Sequence, residues 1–260
     1  MSLQPFSPSL AQIEAFLRRQ PPSRQAFYRW SLDPARVMAL LALEQTLARQ
    51  PLAPRRRVAV VSGSLQEPEL AHLPLAADCR LDDLKFPEER RWDLQLDWTP
   101  ETHGDALGLY DTVVCGQVLE HIATPDHGFA QLIKLLAPGG LLVLNVPALN
   151  GNHGDPDYWF AGFHPRWLQR QADLHDLRVL DVGGWGSCRS AIAYSLCDWA
   201  PWGAIGPLQA SHWRQPRRLG AWLRHRLKYG PVIASRSPLA QPRPGLDRQY
   251  TISWLTAQVG

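Results

Sequence analysis

The stretch Tyr110–Pro147, YDTVVCGQVLEHIATPDHGFAQLIKLLAPGGLLVLNVP, decides the fold. Tyr110–Cys115 carries Thr112, Val113 and Val114, a β-branched run that suits a strand. Thr124-Pro125 predicts a helix start, with a hydroxyl cap followed by a proline whose φ fits the first turn. Phe129, Leu132, Ile133 and Leu136 are spaced to line one helical face. Pro138-Gly139-Gly140 is expected to end that helix, since proline cannot continue it and glycine accepts positive φ. Leu141–Val146 then reads as a strand buried on both faces. Two such strands joined through a helix are parallel, with a right-handed crossover.

Similar readings extend outward. Arg57–Val61, Asp78–Leu84, Trp92–Asp97 and Arg178–Val182 are further candidate strands. Tyr250, Ile252 and Trp254 alternate with Thr251, Ser253 and Leu255, which predicts a last strand within 248–260. Residues 1–54 read as helical. Ser9 and Gln12 fit a capping box ahead of Leu10, Ile13, Phe16 and Leu17, and Asp33-Pro34 starts a helix with Val37, Met38, Leu41 and Leu47 on its buried side. These helices either cover a site as a lid or pack on the sheet edge. Four stretches follow: a helical extension (1–54), an α/β core (55–190), a basic segment rich in proline and tryptophan (191–247), and the closing strand (248–260).

Composition narrows the function. The chain has 260 residues, 45% hydrophobic and 20% charged, enough for one large core with additions. No apolar run approaches the roughly 18–20 residues of a membrane span. The beginning, MSLQPFSPSL, lacks the pattern of a signal peptide, so a cytoplasmic location is expected. The four cysteines show no CxxC spacing and the nine histidines no HExxH, so reduced thiols and no metal site are expected. The interval between Asp198 and Asp247 contains no acid but eight basic residues, a formal +8 in a chain of net +3. Within it, Pro216–Tyr229 reads as an amphipathic basic helix. This charge implies an anionic small-molecule or glycan partner, peripheral membrane contact through 214–228, or a solvated decoration. No nucleic-acid recognition motif is present.

Asp111, Leu119-Glu120-His121 and Pro138-Gly139-Gly140 carry a resemblance to class I S-adenosylmethionine-dependent methyltransferases, and His153-Gly-Asp-Pro-Asp-Tyr-Trp159 resembles a block from a glycan-associated branch. The resemblance implies a Rossmann-like sheet of seven strands in the order 3-2-1-4-5-7-6, whose antiparallel last strand lies between the fifth and sixth. It also implies S-adenosylmethionine as cofactor and methyl transfer to a hydroxyl or amine of a small molecule or glycan.

The cofactor would sit at the carboxyl ends of the strands. The glycine-rich turn after the first strand corresponds to Ser62, Gly63 and Ser64, followed by Leu65 and Gln66. Only one glycine of the family pattern is kept, and valine stands where its acid is expected. Asp82 or Asp83, about twenty residues on, is the expected ribose acid or a turn cap. Asp97 with Trp98 is the expected adenine-side pair, or a strand end with a core tryptophan. Gln117 borders the same site. His121, or His153 with Asp155, is the candidate proton acceptor; the bland roles are turn hydrogen bonding and surface loop. The altered turn also admits a second reading, a methyltransferase fold that serves as a binding or regulatory partner without catalysis. A nicotinamide oxidoreductase is disfavoured by the absence of GxGxxG and Tyr-x-x-x-Lys patterns.

Overall fold

A computed structural model describes residues 6–30, 34–61, 63–84, 104–149, 158–186, 220 and 250–260. The chain divides into two compact units. One comprises Met1–Gln4, Ala42–Gly184 and Ile252–Gly260; the other comprises Pro5–Leu41 and Trp185–Thr251.

Among the described residues, six strands form one mixed sheet: β1 (Arg55–Val61), β2 (Leu75–Leu84), β3 (Tyr110–Gly116), β4 (Leu136–Pro147), β5 (Arg178–Trp185) and β6 (Ile252–Gln258). Their spatial order is β2-β1-β3-β4-β6-β5. β2, β1, β3 and β4 are parallel neighbours, and β6 runs antiparallel to β4 with Asn145 opposite Trp254. The expected strand at Trp92–Asp97 lies outside the described residues, as does the basic segment apart from Gly220.

The central strands alternate between two buried faces. Val58, Val60, Val114, Leu141 and Val143 join Leu43, Leu70 and Leu73 on one side. Ala59, Val61, Val113, Cys115, Leu142 and Leu144 face the other, with Phe129, Leu132, Leu168 and Ala172 from the helices α4 (Pro125–Lys134) and α5 (Pro165–Leu174). That two-sided burial explains why the strands read as continuous apolar runs.

The Tyr110–Pro147 block differs from expectation at its second joint. α4 stops at Lys134, and Leu136 already pairs with Tyr110 as part of β4. The preceding loop closes the helix: the Gly108 N–H donates to the Lys134 carbonyl at 2.8 Å, and the Leu109 and Tyr110 N–H groups to that of Leu135. Pro138-Gly139-Gly140 is therefore an irregularity inside the strand pairing, between Tyr110↔Leu136 and Thr112↔Leu141. Gly139 has φ 73°. A Cβ on Gly140 would lie 2.7 Å from the Ala137 carbonyl oxygen. The first joint is also corrected. Pro125 opens the helix, but the Thr124 side chain makes no cap hydrogen bond.

Asp111 is an anchor at the amino ends of the strands. Its Oδ2 accepts the Arg56 and Arg57 N–H groups at 2.5 and 3.1 Å, where the register of β1 shifts against β2.

The helical segment contains α1 (Leu10–Arg19), α2 (Pro22–Trp30) and α3 (Pro34–Arg49). α1 carries the expected capping box between Ser9 and Gln12. α2 separates the two expected helices, and its Tyr28 ring stacks on Phe16 at 6.0 Å. α3 buries Val37–Leu43 without a break rather than along one stripe, the signature of a helix surrounded by protein. Among the described residues no helix is long and apolar enough to cross a membrane.

Two measurements check these local accounts. Gly140→Ala is expected to cost about 2–3 kcal/mol in urea denaturation and Gly139→Ala about 1 kcal/mol, because only the former meets a backbone oxygen. Equal costs would refute that assignment. His164 caps α5, its Nδ1 accepting the Arg166 N–H at 3.1 Å. Burial, then the Arg166 charge, holds its pKa below the ordinary value. The folded state thus favours neutral imidazole: the contribution is full above about pH 6.5 and is lost as pH falls through the lower folded value. The drop in stability between pH 7.5 and 5.5 should shrink by a measurable fraction of an N-cap's roughly 1 kcal/mol in His164→Asn, which caps without titrating.

Candidate functional site

Strand polarity places the chemistry. Val60 pairs with Val114, which pairs with Val143, so the carboxyl ends of β1, β3 and β4 lie side by side. Three segments leave those ends.

The first follows β1. Here Ser64 organises a turn, its Oγ accepting the Gln66 N–H and its carbonyl the Glu67 N–H. The crossover to β2 then contains only a 3₁₀ turn, Pro68–His72. Leu65 is 45% exposed and does not fill the site. Glu67 is half-buried and folds back over Gly63. A Cβ on Gly63 would lie 2.7 Å from Glu67 Oε1, so the bare glycine backbone and the carboxylate border the same space.

The second segment follows β3. Gln117 has φ 58°, a left-handed conformation uncommon for a residue with a side chain. Its N–H donates to the Asn145 carbonyl and its Nε2 to Asn145 Oδ1, both at 2.9 Å. Asn145 Nδ2 in turn donates to Glu69 Oε1 at 2.8 Å. Asn145 and Glu69 are both buried. One amide on β4 thus ties the loop after β1 to the turn after β3.

The third segment is Tyr158–Phe163. The Trp159 and Phe160 N–H groups donate to the Glu120 carbonyl at 2.9 and 3.2 Å, and the Phe163 N–H to Pro147. This clamp sets Tyr158 edge-on to His121, with ring centroids 6.0 Å apart. His121 belongs to the Leu119–His121 turn, and its Nε2 lies 3.9 Å from Glu120 Oε1. Trp159 is 55% exposed. Burial and then the Glu120 charge raise the Tyr158 hydroxyl pKa. Burial, then Glu120 and Glu67, push the Cys115 thiol far up, which rules out a thiolate nucleophile there.

Gly63, Ser64, Gln117 and His121 therefore gather at one end of the sheet. Asp83 joins them as the next-to-last residue of β2, opposite Val60. Asp82 lies on the alternate face, where Tyr110 Oη donates to it at 3.1 Å and Arg80 Nε at 2.7 Å, with Arg57 Nε 3.6 Å away. Burial raises its pKa, but these hydrogen bonds and charges outweigh burial and hold it low. Ser62, Asp97, Trp98, His153 and Asp155 lie outside the described residues. Sequence reasoning missed Glu67, Glu69 and Asn145. The available signal was Asn145 itself, a lone amide inside the apolar run Leu141–Val146. Among the described residues no group of His, Cys, Asp and Glu is arranged to hold a metal.

The methyltransferase domain profile matches residues 57–191, more than half of the chain. The chain belongs to the methyltransferase-domain family. It falls in the class I S-adenosylmethionine-dependent superfamily and is a methyltransferase by class, with S-adenosylmethionine as cofactor. No curated protein matches it by sequence. Among solved structures, it is similar to the [4+2]-cyclase SpnF (15% identity, all of both chains, TM-score 0.44). It is also similar to phosphoethanolamine N-methyltransferase 2 of Haemonchus contortus (10% identity, 96% of this chain and 60% of that one, TM-score 0.45). A third is an S-adenosylmethionine-dependent methyltransferase of Archaeoglobus fulgidus (11% identity, 84% and 94%, TM-score 0.41).

The residues at the strand ends fit this cofactor. At Gly63 the bare backbone admits the Glu67 side chain, whose Oε1 lies 2.7 Å from where a Cβ would be, and this brings a carboxylate to the end of β1.

The Gln117–Asn145–Glu69 chain can be tested directly. Asn145→Leu removes both side-chain bonds and should destabilise the protein by about 2–3 kcal/mol. The double variant Asn145→Leu/Glu69→Leu should recover part of that loss, because it removes the charge along with its donor. Additive losses in urea denaturation would show that the two residues are not coupled.

Proposed function

We propose that this chain transfers a methyl group from S-adenosylmethionine to a hydroxyl or amine of a small molecule or glycan, at the carboxyl ends of β1, β3 and β4. The observation that carries this reading is the Glu120 carbonyl clamp. It brings a half-buried tyrosine and an exposed tryptophan beside His121, next to the Gln117 turn. An aromatic wall next to a proton-accepting imidazole suits an acceptor that is flat or sugar-like and must lose a proton.

When bound, the cofactor supplies an electrophilic methyl group on a sulfonium. Gly63 lets the ligand approach the backbone after β1, and Asp83 accepts hydrogen bonds from ribose hydroxyls. Gln117, fixed by Asn145, borders the cofactor from the β3 side. His121 takes the proton from the acceptor's O–H or N–H. Tyr158 and Trp159 position the acceptor, which lowers the barrier of a reaction that needs two partners in line. The eight basic residues between Asp198 and Asp247 favour an acceptor carrying an anionic group. His153, Asp155, Asp97 and Trp98 remain part of this proposal on their sequence positions alone.

Calorimetric titration tests it. S-adenosylmethionine should bind the purified protein, and Asp83→Ala should weaken binding by about tenfold, the loss expected for a charged hydrogen bond. No binding up to millimolar cofactor would overturn the proposal. Unchanged affinity in Asp83→Ala would remove that residue from the site.

A further inference from the structure

We infer that Glu67 supplies, from the loop after β1, the carboxylate that binds the α-ammonium of the cofactor's amino-acid moiety; this rests on the methyltransferase reading above. β1 ends in Val58-Ala59-Val60-Val61 and offers no acid of its own. An ammonium entering the space beside Gly63 needs an anionic acceptor there. The Glu67 carboxylate is at that place, its Oε1 2.7 Å from where a Gly63 Cβ would be.

The neighbouring carboxylates are less suited. Glu69 is 2% exposed and accepts the Asn145 amide. Glu120 has no exposed surface. Glu67 is half-buried, so its carboxylate is partly shielded from solvent yet reachable. In such surroundings a charge-assisted hydrogen bond is stronger than in open water. The charge of Glu67 is also felt at Cys115, one of the causes that keep that thiol protonated, which agrees with a carboxylate turned toward the strand ends.

The backbone holds Glu67 in place. Its N–H donates to the Ser64 carbonyl at 3.0 Å, and its own carbonyl accepts the Leu70 N–H at 3.1 Å. Pro68 follows at once and restricts the conformation of Glu67. Glu69, two residues on, is anchored to β4 through Asn145. The acid sits on a loop, but a loop tied down on both sides.

Two ligands separate the amino-acid contact from the rest of the site. S-adenosylhomocysteine carries the ammonium, whereas 5′-methylthioadenosine keeps the nucleoside and thioether without the amino acid. In calorimetry, Glu67→Gln should weaken S-adenosylhomocysteine by about tenfold or more and leave 5′-methylthioadenosine within about twofold. Retained methylthioadenosine binding also reports that the variant is folded. Wild-type affinity or tighter binding of S-adenosylhomocysteine by Glu67→Gln would overturn the inference while leaving the cofactor reading intact. An equal loss for both ligands would overturn it too, by making Glu67 a residue that shapes the loop. If the wild-type protein binds neither ligand, the cofactor reading falls together with the inference.

Discussion

Burial of β1, β3 and β4 on both faces is the constraint from which the rest of the structure follows. The apolar residues in the middle of these strands point into one core or the other, which pushes most polar chemistry to the strand ends. The two ends are used differently. At the amino end Asp111 and the Arg56–Asp78 pair bind the strands to one another. At the carboxyl end Glu69, Asn145 and Gln117 tie the adjoining loops together through neutral and charged hydrogen bonds. The same burial makes an amide inside a strand costly unless it is bonded. Asn145 meets that cost by satisfying two loops at once.

That double duty compensates for a short connection. The crossover from β1 to β2 contains a single 3₁₀ turn, too short to hold a loop by packing an apolar helix face. A buried hydrogen bond from β4 adds to the packing of Leu70 and Leu73 in holding it. The strained Gln117 fits the same logic. A side-chain residue at φ 58° persists only where its surroundings over-determine it, and here both its backbone N–H and its amide are bound to Asn145. Strain at the end of β3 and a charge in the loop after β1 are thus stabilised by one residue of a third strand.

Much of this was legible in the sequence, for a physical reason: side-chain alternation and two-faced burial leave a direct imprint on residue order. The β-branched run at Thr112–Val114, the apolar run Leu141–Val146 and the alternating Ile252–Leu255 all became strands close to where pattern reading put them. The Ser9 capping box was equally readable because both its partners are local. What pattern missed was set by contacts distant in sequence. The end of α4 depends on Tyr110 recruiting Leu136 into the sheet, so a helical period extended to Leu136 on paper stops at Lys134 in the fold. Asp82 and Asp83 look interchangeable in order, yet strand alternation gives one to Arg80 and Tyr110 and the other to the opposite face. Glu67 and Glu69 received no assignment from pattern, because nothing local announces that Asn145 bonds to Glu69.

The altered turn after β1 can now be understood as a change in where rigidity comes from. A carboxylate on a buried strand is oriented by the sheet itself. A carboxylate on a loop must be oriented by other bonds, and whatever freedom they leave is lost on binding as reduced affinity. Glu67 would avoid part of that loss, because its own backbone is bonded on both sides and its neighbour Glu69 is fixed to β4. Cofactor grip in this chain would then depend on Asn145, a residue that need not touch the ligand.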